Sequence, residues 1–185
     1  MNTQAPDEGT MAILLQELNK RRKSEGRALL SEYPQVGCTS CGEVPESGIP
    51  LFQGKVDYIR TCQNCVLKWF PFSRLRLPAG EIITWYRSNP TFHRTSDYGI
   101  VLTNHALYLY KSFWPFAKWQ RIPLAEVRDA SFRDSRLFPA LQIQAGSKII
   151  VLRTPPDYAD EMQFDRQNLK EAAEQVRGMV SRNGA

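Results

Sequence analysis

Two close pairs of cysteines constrain this chain more than any other feature. They lie in "GCTSCG" and "TCQNC" and give Cys38-x2-Cys41-x20-Cys62-x2-Cys65, with no thiol left over. Three chemistries use such sets. Disulfides need an oxidising compartment, and the acidic, polar start "MNTQAPDEGT" is unlike the basic and apolar opening of a secretory signal. A redox pair uses one CxxC at the strand-to-helix turn of a βαβ unit, whereas this chain has two pairs and no such unit. A metal fits better. Each CxxC turn aims two sulfurs at one point, and the intervening residues are enough to bring the pairs together. Four soft thiolates in a tetrahedron select Zn²⁺, and with every position taken by sulfur none is left for a reacting water. The expected zinc is therefore structural.

The residues between the pairs support that closure. "PLFQ" and "VDYIRT" flank Gly54 and read as a hairpin that delivers the second pair. Ahead of the module, residues 10–31 read as a helix capped by Thr10, with Met11, Leu14, Leu15 and Leu18 on one face. Its end carries the basic run Lys20–Lys23, flanked by Glu17 and Glu25, which reads first as a solvated face and second as a phosphate contact.

Charge narrows the partner class. The net +5 is spread so that none of the segments 1–37, 38–79, 80–135 and 136–185 exceeds +2. No basic arm grips phosphates by counterion release, and four thiolates around Zn²⁺ add about −2 of their own. No apolar run approaches the roughly 20 residues that span a bilayer. The expected location is the cytoplasm.

From residue 81 the texture changes to repeated short strands: 81–87, 98–104, 106–112, 118–124, 127–133, 140–145 and 148–154, with turns at Asn104-His105 and Gly146-Ser147. A helix follows, with an apolar stripe at Leu169, Ala172, Val176 and Met179 that must pack on a sheet. The expected organisation is an N-terminal helix and tail over 1–33, the cysteine module over 34–78 and a strand-rich domain over 79–185. The fold class is α+β.

Two resemblances follow from these residues. The spacing of Cys38, Cys41, Cys62 and Cys65 resembles zinc-ribbon modules over residues 36–67, which implies a metal staple and leaves the module's role open. The run Gly99-Ile100-Val101-Leu102-Thr103-Asn104 into Leu107-Tyr108-Leu109-Tyr110, then Ile122-Pro123-Leu124 into Glu126-Val127, resembles bacterial pleckstrin-homology-like and GRAM-type domains over residues 80–182. That resemblance implies a bent, seven-stranded antiparallel sheet, a barrel plugged by the C-terminal helix, which acts as a binding scaffold. The stretch matching the family's phosphoinositide-binding hairpin offers only Arg87, His93 and Arg94, beside Asp97.

Catalysis finds little support: there are two histidines, and no nucleophile motif, phosphate loop or paired-carboxylate spacing. The expected protein is a non-enzymatic adaptor. Its candidate contact residues are Phe113, Trp114, Phe116, Lys118, Trp119 and Arg121, because a hairpin loop ordinarily carries Gly, Asn, Asp or Ser and this one carries large aromatics. Two accounts stand open: the loop folds back on "WFPF" (69–72), or it is an exposed anchor for a partner. A protein partner is favoured over a membrane surface. Self-association stays open, and a nucleic-acid regulator using the ribbon and Lys20–Lys23 is the alternative.

Overall fold

The computed structural model describes residues 8–33, 37–46, 49–53, 60–69, 71–89, 98–113, 116–135, 138–153 and 159–183. The chain forms two compact units, Met1–Trp69 and Phe70–Ala185.

In the first unit, helix α1 spans Glu8–Ser24. It begins before Thr10, which therefore lies inside the first turn and is not its cap, and it ends well short of residue 31. The stop is chemical. Gly26 takes φ 68°, Arg27 N–H donates to Arg22 O at 2.9 Å and Gly26 N–H to Lys23 O at 3.2 Å. This is a Schellman ending, which needs a residue free of Cβ strain in the left-handed region. Of the expected stripe, Leu18 is buried while Met11, Leu14 and Leu15 are half-buried. Strands β1 (Phe52–Gln53) and β2 (Arg60–Thr61) pair antiparallel, as expected of a hairpin between the cysteine pairs. A single helical turn, α2 (Gln63–Val66), follows.

The second unit holds the seven expected strands, but not in one sheet. β3 (Ile83–Asn89), β4 (Tyr98–Thr103), β5 (Ala106–Phe113) and β6 (Phe116–Pro123) make a four-stranded antiparallel sheet in that order. β7 (Val127–Arg133), β8 (Ala140–Ala145) and β9 (Lys148–Arg153) make a separate three-stranded one. The single seven-stranded sheet and the closed barrel are thus corrected. The break falls at Pro123, which has no N–H to donate, and at the 3-10 turn Leu124–Glu126 that follows it.

Helix α3 (Ala159–Asn183) packs on β7 and β8, and also reaches β3 and the 3-10 turn. Leu169, Ala172, Ala173 and Val176 are all fully buried, at helical spacing. Met179 is only partly buried against the same core, so the stripe fades one turn before its expected end. The core joins these residues to Ile100, Leu102, Leu107, Leu109, Leu141 and Ile143. Asn168 on the helix donates to the Tyr98 hydroxyl at 3.1 Å, a buried polar tie.

Strand β4 is buried at every position from Tyr98 to Thr103, so the four-stranded sheet is covered on both faces. Ile100 and Leu102 face the core. On the opposite face Phe72 stands edge-on to Tyr86 (5.2 Å between centroids) and lies against Trp119 (5.9 Å), which in turn contacts Tyr110 (5.2 Å). Gly99 sits beneath this aromatic group. A Cβ there would lie 3.0 Å from both Pro71 Cγ and Trp119 Cη2.

Candidate metal centre

The first two sulfurs come from a tight turn. Gly42 N–H donates to Cys38 O at 2.7 Å and Cys38 N–H to Glu43 O at 2.8 Å, so the chain from 38 to 43 closes on itself. Gly42 is at φ 76°, and a Cβ there would run into Leu30 and lie 3.1 Å from Arg22 Nη1. Position 42 therefore requires glycine twice over, for backbone angle and for space. The second pair sits where β2 runs into α2, with Cys65 N–H and Val66 N–H on Cys62 O, each at 3.0 Å. The two halves are pinned together by Thr39 and Arg60. Thr39 N–H and Oγ1 both donate to Arg60 O at 2.8 Å, and Arg60 N–H returns to Thr39 Oγ1 at 3.2 Å.

This framework brings the four sulfurs within 4.8 Å of one another, all buried. No disulfide links them; Cys41 Sγ and Cys62 Sγ stand 3.7 Å apart. A tetrahedron with metal–sulfur bonds of about 2.3 Å has edges of roughly 3.8 Å. The cluster fits a metal site.

Its electrostatics say why a cation suits it. Hydrogen bonds hold Cys38 down to about 4, first from the Cys65 thiol and then from backbone N–H groups that include Cys62, against the opposing effect of burial. Cys62 N–H lies 3.3 Å from Cys38 Sγ. Burial, followed by the negative charge of Cys38, pushes Cys62 up to about 11. Cys65 is pushed up strongly, first because it donates to Cys38 and then by burial. One thiolate forms readily, and its charge suppresses the next. A divalent cation removes that repulsion, so that ligation and deprotonation proceed together.

Sequence reasoning missed the support around this cluster. Arg22 is buried; its Nη1 donates to Cys41 O and its Nε to Ala28 O at 2.6 Å. The basic run is therefore not wholly a solvated face. Asn19 makes a two-way bond to the main chain of Leu30, at 2.8 and 2.9 Å, and Arg27 pairs with Glu43 at 3.0 Å. One signal was present: Arg22 continues the spacing Leu15, Leu18, Arg22, so a cation occupies the buried stripe.

The other candidate residues do not form one site. Lys118 is exposed, and Trp119 is half-buried in the aromatic group with Phe72 and Tyr110. Phe113 and Phe116 are the last paired residues of the β5–β6 hairpin. Trp114, His93 and Arg94 lie outside the described residues. Arg87 bonds Glu171 of α3 at 2.9 Å and lies over the Trp85 ring, 5.0 Å from its centroid. His105 is exposed in its turn.

Arg121, read as a flank of the aromatic loop, belongs to a different cluster. Its Nη2 donates to Glu81 Oε1 at 2.6 Å, and its Nε stands 3.1 Å from the Tyr108 hydroxyl. Tyr108 OH and Thr103 Oγ1 supply the other carboxylate oxygen, at 2.7 and 3.0 Å. Burial alone would raise the Glu81 carboxyl, but the donors Arg121, Tyr108 and Thr103 outweigh it and the net direction is down. Tyr108 moves up, through burial first and then its bond to Glu81. No sequence motif links a glutamate to an arginine so distant in the chain, and only the β3–β6 register brings them together.

Comparison with protein-family models, with curated proteins and with solved structures gave no match for this chain. Among the described residues, no helix is long and apolar enough to cross a membrane.

Proposed function

We propose that this chain is a non-enzymatic adaptor in which Cys38, Cys41, Cys62 and Cys65 hold one structural Zn²⁺, and in which the second unit is a pleckstrin-homology-like scaffold that binds a protein partner. The observation that carries the metal reading is the buried set of four sulfurs within 4.8 Å of one another, with Cys41 Sγ and Cys62 Sγ 3.7 Å apart. All four donors come from the protein, so the metal has no position for water or substrate, and its work is to fold the module. Apparent binding energies of roughly 10–16 kcal/mol for such sites are large enough to decide whether a small unit folds at all. The scaffold reading draws support from seven antiparallel strands followed by one helix on the core. Its polar clusters are closed on themselves: Glu81 is saturated by Arg121, Tyr108 and Thr103, and Arg87 by Glu171. Groups tied together in this way stabilise a fold.

A protein partner is preferred because the sequence from the end of β5 to the start of β6 supplies Phe113, Trp114 and Phe116, and Lys118 of β6 is exposed. Binding of nucleic acid through Lys20–Lys23 loses weight, because Arg22 is committed to two carbonyl groups. Two measurements test the proposal. Metal analysis of purified protein is expected to give about one zinc per chain, lost in Cys62→Ser; no zinc, or two disulfides in reduced material, overturns the metal reading. Combining Trp114→Ala with Phe116→Ala is expected to leave the unfolding midpoint nearly unchanged while partner capture is lost. Unchanged capture overturns the role of the hairpin end.

A further inference from the structure

The metal cluster is not self-supporting. The turn that carries Cys38 and Cys41 is held from behind by helix α1 and the segment that folds back from it. Arg22, on the last turns of α1, places a buried guanidinium between two main-chain oxygens, Ala28 O and Cys41 O. The second of these belongs to a metal-ligating residue. Asn19, one turn earlier, clamps Leu30 from both sides of its peptide, and the Leu30 side chain fills the space that a Cβ on Gly42 would need. Arg27 ties the same segment to Glu43, directly after the turn.

Charge points the same way. Four thiolates and Zn²⁺ sum to −2, and a buried guanidinium is tolerated only with its donors used and a compensating charge near. Arg22 brings a positive charge to the Cys41 side of the cluster, whereas that of Arg27 is shared with Glu25 at 3.2 Å and Glu43 at 3.0 Å.

We propose that Arg22 is a positioning residue of the metal centre, and that through it the docking of helix α1 and the occupancy of the four-cysteine site are one coupled event. The inference rests on the metal reading given above. Metal fixes the Cys38–Glu43 turn in the form that presents Cys41 O to Arg22. Arg22 in turn fixes that form before the metal arrives. Coupling of this kind is reciprocal: whatever weakens helix docking weakens metal binding by the same factor.

The test uses the full chain with zinc bound and reads two quantities: zinc affinity by competition with a chromophoric chelator, and amide hydrogen exchange by mass spectrometry. Arg22→Gln is expected to hold zinc about 10- to 100-fold more weakly, the usual effect of losing a residue that orients a ligand. Arg22→Lys keeps the charge but reaches one carbonyl where the fork reached two, so it is expected to fall between Arg22→Gln and wild type. Stripping zinc from the wild type is expected to speed exchange over Leu18–Ser24 of α1 as well as over residues 37–43. Exchange in the zinc-loaded state over the first turns of α1 and over the β1–β2 amides, all in the first unit, checks that each variant is folded, and if Arg22→Gln is not, Arg22→Lys carries the affinity comparison. Wild-type affinity in the folded variants overturns the inference, and so does α1 exchange that ignores zinc removal. Wild-type protein that binds no zinc overturns the metal reading itself, and the inference with it.

Discussion

Gly99 shows how one atom decides the packing of the covered sheet face. Pro71 and Trp119 approach its Cα so closely that a methyl group would stand 3.0 Å from each. Gly99→Val is expected to destabilise the second unit by about 1–3 kcal/mol, the usual cost of overpacking. Chemical denaturation measures it, and an unchanged midpoint would mean that the Pro71–Phe72 segment lifts away freely. Glu81 makes a pH-dependent claim. Its folded carboxyl lies below the ordinary value of 4.5. The stability it contributes is therefore present above that value and is lost as pH falls through the lower, folded one. Glu81→Gln is expected to be less stable than wild type at neutral pH, with the gap closing as pH drops below 4.5. Hydrogen exchange of the β3–β6 amides across that range reads it; a gap that stays constant would show that the carboxylate charge contributes nothing.

At the scale of elements, α3 carries the clearest energetic claim. Leu169 is fully buried among Ala172, Ala173, Val176 and the sheet residues. Leu169→Ala is expected to cost about 2–5 kcal/mol, and Met179→Ala less, since Met179 is only partly buried. Equal effects at the two positions would contradict the observed depth of the stripe. β7 and β8 keep their expected bounds, Val127–Arg133 and Ala140–Ala145. In β8 Leu141, Ile143 and Ala145 alternate into the core, as a half-buried strand requires, whereas in β7 the register shifts between Val127 and Asp129. The end of α1 was misread because a charged, helix-favouring run continues past Ser24, while the stop depends on the backbone angle of Gly26 alone.

Across the whole molecule, strand number and order could be read from periodicity, but their partition into sheets could not. Alternation says which side chains share a face, never which edge is paired, and the Pro123 break ends one sheet where the reading ran on. The cysteine cluster was legible in full, because two CxxC turns at that spacing have few other uses. Its supports, Arg22, Asn19 and Arg27, were not, since each contributes through a main-chain carbonyl or an ion pair that no spacing encodes. The two compact units should also respond separately. Cys38→Ser is expected to open residues 37–69 to proteolysis while strands β3–β9 keep their exchange protection; loss of protection throughout would make the chain one cooperative body. The central claim is a closed, all-sulfur zinc centre, and X-ray absorption at the zinc edge of the purified protein tests it most directly. The account predicts four sulfur neighbours at about 2.3 Å and no lighter atom in the first shell. A nitrogen or oxygen neighbour would make the site open, and the absence of a zinc edge would remove it altogether.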